Sequence, residues 1–421
     1  MTIRFLTVVF LVAFATQGPA IAQQGPGPEK LLNRMDGDGD GRIARNEWMG
    51  PPPAFRKMDS NSDGYLTAAE LQAWQGKGQS RSPGQTPVGT QSTAERKSPS
   101  WVDTHVHLRA GSGTYEGALE HAAELMDASG IQVMIVMPPP FPKMGRARNR
   151  YDVQELSRVT KAFPGRFLFM GGGHLINGII ESTPPDQVTA AIREDFTQKA
   201  NYILDSGARG FGELGIMHLG HFAGHPSYWV RPDHPLFLLL ADIAGQRKAV
   251  IDIHMDVVEQ DAATPRELAA GDNPAEMKEN VASFERFVAH NRDARIVLAH
   301  AGWDVTGQWS AKLSRRLLSD HPNLYMSLKV TARGASGENQ LMTETASGSV
   351  KNEWLAVFKV FPERFFVGSD SFFAAVGAKG RAPGGMTQFN GEPVERFLNG
   401  LPPNLARRVA SENALAVYGE P

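Results

Sequence analysis

Trp101-Val102-Asp103-Thr104-His105-Val106-His107-Leu108 alternates like a β-strand, and its two faces set the reading of the rest of the chain. Residues two apart on a strand point the same way. Asp103, His105 and His107 therefore share one face, and Val102, Thr104, Val106 and Leu108 the other. In a barrel the apolar set packs against outer helices and the polar set faces the interior. Two imidazoles side by side at a strand end make half a zinc-type site. Asp103, one step deeper, is expected to fix a histidine tautomer.

Seven similar runs follow: Gln132–Met137, Arg166–Met170, Ala208–Leu214, Ala249–Met255, Arg295–Ala301, Asn323–Val330 and Phe365–Ser371. Helical stretches such as Tyr115–Ala128, Gln187–Asp205 and Met277–His290 lie between them. Eight strand-then-helix repeats predict an α/β fold, a (β/α)8 TIM barrel over residues 100–421. A doubly wound open sheet is the alternative. Ile251-Asp252-Ile253-His254 closes the fifth run, Ile296-Val297-Leu298-Ala299-His300 the sixth, and Val367-Gly368-Ser369-Asp370 the eighth. Barrel enzymes build their active sites at these C-terminal strand ends. A lone strand histidine is more often a satisfied core residue, but these side chains, spread over four strands, form a constellation.

The HxH of the first strand, the histidines of the fifth and sixth and the aspartate of the eighth resemble the amidohydrolase superfamily. The ending Leu401-Pro402-Pro403…Ser411-Glu412-Asn413-Ala414-Leu415…Tyr418-Gly419 is similar to the C-terminal helix of the amidohydrolase-related branch, which includes aminocarboxymuconate-semialdehyde decarboxylase. The resemblance covers residues 101–421. It implies a divalent transition metal, zinc first, held by His105, His107, His254 and Asp370, with His300 beside the water or substrate. Zinc lowers the pKa of its water from about 15.7 to about 7. Asp370 would take the water's proton and pass it to the leaving group. Glu213, ending the fourth run, resembles the strand-4 glutamate of TatD-like nucleases and would bridge a second ion with His254 and His300. Its other reading is that it only orients a neighbour or binds substrate. One metal is the expectation and two the alternative.

His174 ends the third run, and His218, His221 and His225 crowd the loop after the fourth, all expected around the barrel's mouth. Lys329 and Arg333, near the end of the seventh, would pair with a substrate carboxylate. Surface solvation is an equal reading of each.

Ahead of the barrel, Asp36-Gly37-Asp38-Gly39-Asp40-Gly41 with Glu47 fits the twelve-residue EF-hand loop. Asp59-Ser60-Asn61-Ser62-Asp63-Gly64 with Glu70 repeats it. Carboxylates and an amide fill the alternate early positions, Arg42 and Tyr65 offer backbone carbonyls, and Glu47 and Glu70 close the loops. Calcium is the implied ion. Ile43 and Leu66 are expected to join the loops by a short β contact. Only Trp48–Met58 separates the loops, and Pro51-Pro52-Pro53 interrupts that stretch. A small all-α pair over 29–75 with a structural or tethering role is therefore expected, not a groove that grips a target. Residues 76–99, rich in Gly, Ser, Pro, Gln and Thr, read as a flexible linker.

The first 22 residues read as a signal peptide: Arg4, an apolar run Phe5–Thr16 too short to span a bilayer, then Ala20-Ile21-Ala22. The mature chain is expected to begin near Gln23 and to be periplasmic or secreted, without stable membrane insertion. An intact Met1 on protein recovered from the native host would exclude this. A net charge of −2 gives no reason to expect nucleic acid as a partner. The absence of cysteine excludes disulfides, thiolate metal sites and a cysteine nucleophile. A homo-oligomer is left open.

Hydrolysis of a small-molecule ester, lactone or amide by a metal-activated water is the leading functional expectation. Metal-dependent decarboxylation of a small carboxylic acid uses the same ligands and is the rival. A non-catalytic, calcium-stabilised periplasmic binding protein is the third reading, disfavoured by the complete ligand set.

Overall fold

Eight short runs that are buried on both faces can all be satisfied at once only if each strand finds two neighbours. In the computed structural model they do. The structure describes residues 35–76 in part, and 99–421 apart from 110–112, 141–152, 222–224, 226, 269–270, 331–338, 345–348 and 379–390. The leader read at 1–22, all but the ends of the linker at 76–99, Asp38 and Arg333 lie outside the described residues. Among the described residues no helix is long and apolar enough to cross a membrane. The chain divides into two units, 1–92 and 93–421.

In the larger unit the strands are β1 (Trp101–Arg109), β2 (Ile131–Val136), β3 (Phe167–Phe169), β4 (Gly210–His218), β5 (Val250–Met255), β6 (Arg295–Ala301), β7 (Leu324–Leu328) and β8 (Phe365–Val367). Each runs parallel to the next, with Gly171–Gly172 extending β3 to reach β4. Ser371–Ala374 extends β8 and pairs in parallel with Val106–Arg109 of β1. The sheet is thereby closed, and the open-sheet alternative, which needs two edges, is excluded.

Helices α1 (Tyr115–Ser129), α2 (Val153–Thr160), α3 (Ala190–Asp205), α4 (Pro235–Arg247), α5 (Val281–His290), α6 (Ala311–Asp320), α7 (Asn352–Val360) and α8 (Glu392–Asn399) follow their strands. Local chemistry sets their ends. Thr114 caps α1 by accepting from the Gly117 amide, and Gly130 ends it in the left-handed region at φ 69. α3 begins at Ala190, not Gln187, because Thr189 caps it through the Ile192 amide. α5 begins at Val281, not Met277, because Glu276–Met277 pairs with Ala262–Ala263. The Asn280 side chain also ties back to Val258 N at 3.0 Å and Asp256 O at 2.8 Å.

Apolar packing occupies two layers. One fills the space between strands and helices, as with Val106, Leu119, Phe211, Phe237 and Phe284. The other includes Val102, Val133, Leu168, Val250, Val297 and Phe366 together with Val417 and Tyr418 from the C-terminus. Val102 thus packs with this second cluster instead of with Val106 and Leu108, a correction to strict alternation along β1. The cause is irregular register, with shifts between Trp101 and Val102 and again between Asp103 and Val106. The chain ends in α9 (Pro403–Arg407), a π-helical turn and α10 (Asn413–Tyr418). Asn413 anchors this end by donating to Phe365 O and Pro362 O, each at 2.8 Å.

In the smaller unit Arg42–Ala44 pairs antiparallel with Tyr65–Thr67, setting Ile43 opposite Leu66 as expected. Both are fully buried and pack with Phe55, Met58 and Leu71. The two short strands make this unit more than all-helical.

Candidate metal centre

His105 and His107 reach the centre from β1, and both are buried. Nδ1 of His107 lies 2.8 Å from the Met137 carbonyl oxygen. A carbonyl only accepts, so Nδ1 carries the hydrogen. Nε2 of His107 then faces two carboxylates, at 3.3 Å from Glu213 Oε2 and 3.3 Å from Asp370 Oδ1. A ring lone pair against two anionic oxygens is repulsive unless a proton or a metal ion lies between them. His105 points its Nε2 at Glu213 Oε2 (3.5 Å) and its Nδ1 at Asp252 Oδ1 (3.3 Å). Neither of its ring nitrogens makes a hydrogen bond. A fully buried imidazole left in that state fits a metal ligand.

The other oxygen of Glu213 serves a second group. Oε1 lies 2.8 Å from His254 Nδ1 and 3.0 Å from His300 Nε2. The expected ligands therefore do not form one ring about one point. Glu213 stands between two sets, with His105, His107 and Asp370 on one oxygen's side and His254 and His300 on the other's. Ligand atoms of His105, His107 and Asp370 lie within 4.8 Å of one another, as do those of His105, Glu213 and His300.

The electrostatics suit cations. Burial alone would raise the Glu213 carboxyl, but the imidazoles of His105, His107 and His254 hold it well below the usual carboxylate range. Burial also opposes ionisation of Asp370, yet the Lys329 ammonium, with His300 and His107, holds it well below the ordinary value. Burial lowers His254, but Asp256 and Glu213 overcome this and raise it to about 10. His300, dominated by burial, falls to about 4.

Backbone form completes the site. His300 (φ 58) and Asp370 (φ 53) sit in the left-handed region, which side-chain-bearing residues adopt at an energetic cost and mostly at functional positions. Gly368 lets β8 approach β1, since a Cβ there would fall 2.3 Å from Ser327 Oγ and 2.8 Å from His105 Cβ.

Some expectations need correction. Asp103 does not reach a ring nitrogen; its Oδ1 accepts from the Ser369 amide at 2.8 Å and the His105 amide at 3.3 Å, bracing backbone. The carboxylate at His105 Nδ1 is Asp252, missed in the sequence although it sits two residues before His254 on the same strand face. Asp256, 3.7 Å from His254 Nε2, was also missed. Lys329 is no solvated surface residue: Nζ bonds Asp370 Oδ2 at 2.7 Å and lies 3.8 Å from the centroid of the Trp303 ring. His174 is buried in the turn after β3.

His218 ends β4, its ring centroid 4.8 Å from that of His254. His218, His221 and His225 bring ligand atoms within 4.8 Å of one another. The His221 amide donates to His225 Nδ1 at 3.0 Å, so the neutral His225 ring carries its hydrogen on Nε2 and is not a ready metal ligand through that atom. Burial lowers His225 to about 4 and holds His218 well below the ordinary imidazole value, which keeps both rings uncharged.

In the smaller unit the loops are folded around their first carboxylates. Asp36 accepts from the amides of Asp40 (3.1 Å) and Gly41 (2.9 Å), and Asp59 from those of Asp63 (3.2 Å) and Gly64 (3.1 Å). Gly41 (φ 83) and Gly64 (φ 87) make the left-handed turns. Asp40 takes the Arg42 amide, Asn61 that of Asp63, and Asp63 that of Tyr65. Glu47 folds back onto the Ala44 amide, and Glu70 onto the amides of Ser60 and Thr67.

A family model described as amidohydrolase matches residues 102–419, and one described as EF hand matches residues 53–73. No curated protein matches the sequence. Among solved structures, the chain is similar to dihydroorotase from Campylobacter jejuni, at 13% identity and TM-score 0.42, over 78% of this chain and 86% of that one. It is also similar to a mutant of organophosphorus hydrolase from Deinococcus radiodurans, at 15% identity and TM-score 0.38, over 73% and 92%. A third is amidohydrolase 2 from Bifidobacterium longum subsp. infantis, at 11% identity and TM-score 0.36, over 76% and 99%.

Proposed function

The chain belongs to the amidohydrolase family, and from that premise we propose that it is a hydrolase of a small ester, lactone or amide, built around two divalent cations that share Glu213. The observation that carries this is the split use of one carboxylate, Oε2 toward His105 and His107 and Oε1 toward His254 and His300. One ion would be held by His105, His107, Asp370 and Glu213, the other by His254, His300 and Glu213. Zinc suits this set of imidazoles and carboxylates. When bound, the ions would supply Lewis-acid polarisation of the substrate and a water whose pKa falls toward about 7.

The protein's own groups then have definite tasks. Asp370, kept anionic and fixed by Lys329, accepts a proton from the attacking water and returns it to the leaving group. Asp252 Oδ1 faces the far nitrogen of His105 at 3.3 Å, and the Met137 carbonyl accepts from that of His107, so both rings are presented by their other nitrogen. Trp303 lies under the Lys329 ammonium, and the uncharged ring of His218 stands beside that of His254. Hydrolysis is tested against decarboxylation by assaying candidate esters, lactones, amides and carboxylic acids for acid production and carbon dioxide release. Carbon dioxide as the product would replace this reading with the lyase.

Metal uptake should be coupled to protons. His254, at about 10, holds a proton at neutral pH when no metal is present. A cation must displace it, so binding releases protons and tightens as pH rises through the neutral range. Zinc titration calorimetry in buffers of different ionisation enthalpy should give buffer-dependent heats; identical heats would contradict this.

We also place calcium in the two N-terminal loops, as a stabilising rather than a signalling ion. Affinity of about 10⁻⁴–10⁻³ M is expected, as in extracellular modules. Calorimetry on the full chain should show heat with millimolar calcium, lost when Asp36 and Asp59 are both changed to Ala. No heat from the unaltered chain would remove calcium from the account.

A further inference from the structure

Tyr418 ends α10, beyond the eight strand–helix repeats, yet its ring is buried against barrel residues. It packs with Val102, Val133, Val250, Val297 and Phe366, meeting Phe366 edge to face at 5.6 Å. An apolar plug at this position needs only a ring, and a buried phenol requires a partner for its hydroxyl. That partner is Asp252: Tyr418 OH donates to Oδ2 at 3.4 Å. The Asp252 carboxylate is fully buried, and its Oδ1 lies 3.3 Å from His105 Nδ1. Among the described residues Tyr418 provides the only hydrogen bond to this carboxylate, whose Oδ1 has none.

Resting on the metal reading above, we propose that Tyr418 is a positioning residue for the metal centre, acting through Asp252 on His105. A buried carboxylate with a single donor takes its orientation from that donor. A histidine that ligates metal through one nitrogen takes its ring orientation from the group on the other. The C-terminal helix therefore sets the direction in which His105 offers Nε2 to the ion. It does so from outside the repeats that supply the ligands.

The test is a double-mutant cycle read as zinc affinity. The full chain, stripped of transition metal and kept in millimolar calcium to fill the EF-hand loops, competes with a chromophoric chelator. Asp252→Asn should weaken zinc binding about 10–100-fold. Tyr418→Phe, which keeps the ring, should weaken it by about threefold or more, less than the Asp252 change because the phenol acts one contact further from the ligand. In the Asp252→Asn background Tyr418→Phe should add nothing, because its path is already cut. Phe366→Leu, which loosens the same packing without touching the hydroxyl, should lower the thermal midpoint and leave zinc affinity unchanged.

Zinc affinity in Tyr418→Phe equal to that of the unaltered chain would overturn the proposal. So would an effect of equal size in the Asp252→Asn background, or a Tyr418→Phe chain that does not fold. An unaltered chain that takes up no zinc would instead refute the metal reading itself.

Discussion

His105→Ala and His107→Ala, made together, are expected to strip the barrel of transition metal and abolish turnover while the chain stays folded. Both Nε2 atoms converge on Glu213 Oε2, at 3.5 and 3.3 Å, so their loss leaves one ion with only carboxylates on that side. Changes behind a ligand already weaken metal binding about 10–100-fold, and removing two ligands outright should exceed the upper end. Folding should survive because the rings are not part of the apolar layers that hold the barrel; His105 makes no hydrogen bond through its ring nitrogens. Metal content by plasma mass spectrometry, read beside the thermal midpoint, checks both halves. Full metal content in the double variant would overturn the assignment of β1 as a ligand strand.

Asp370→Asn should lose turnover by about 10²–10⁴-fold, the range for a positioned proton carrier, and lose less in metal affinity. The amide keeps the size and one oxygen. Lys329, bonded to Oδ2 at 2.7 Å, offers only donors, so the amide oxygen turns to it and the NH2 faces His107. A group in that orientation cannot take a proton from water. Steady-state rates measured beside zinc affinity separate the two losses. A fully active Asp370→Asn enzyme would leave proton transfer without a residue to carry it.

The barrel was legible because β-strand alternation and strand-end chemistry coincide in β1, β5, β6 and β8. All eight strands lie where the apolar runs place them. His105, His107, His254, His300 and Asp370 were proposed from those same strand ends and Glu213 from the end of β4, and the structure brings their side chains together. Their division into two sets was not legible, because it depends on which carboxylate oxygen each ring meets. Asp252 carried a readable signal, two residues from His254, but its role follows from barrel closure, which brings its carboxylate to His105 from a strand that does not pair with β1. Asp103 misled because β1 shifts register there and turns it toward the Ser369 amide. The pairing of Lys329 with Asp370 joins two loops far apart in sequence, which no local pattern encodes.

Anomalous diffraction from crystals of the zinc-loaded chain, recorded on both sides of the zinc edge, bears most directly on the shared carboxylate. Two peaks are expected inside the barrel, one on each side of the Glu213 carboxylate, the first among His105, His107 and Asp370 and the second between His254 and His300. A single peak ringed by His105, His107, His254 and Asp370, with Glu213 bound to no ion, would contradict the two-cation centre.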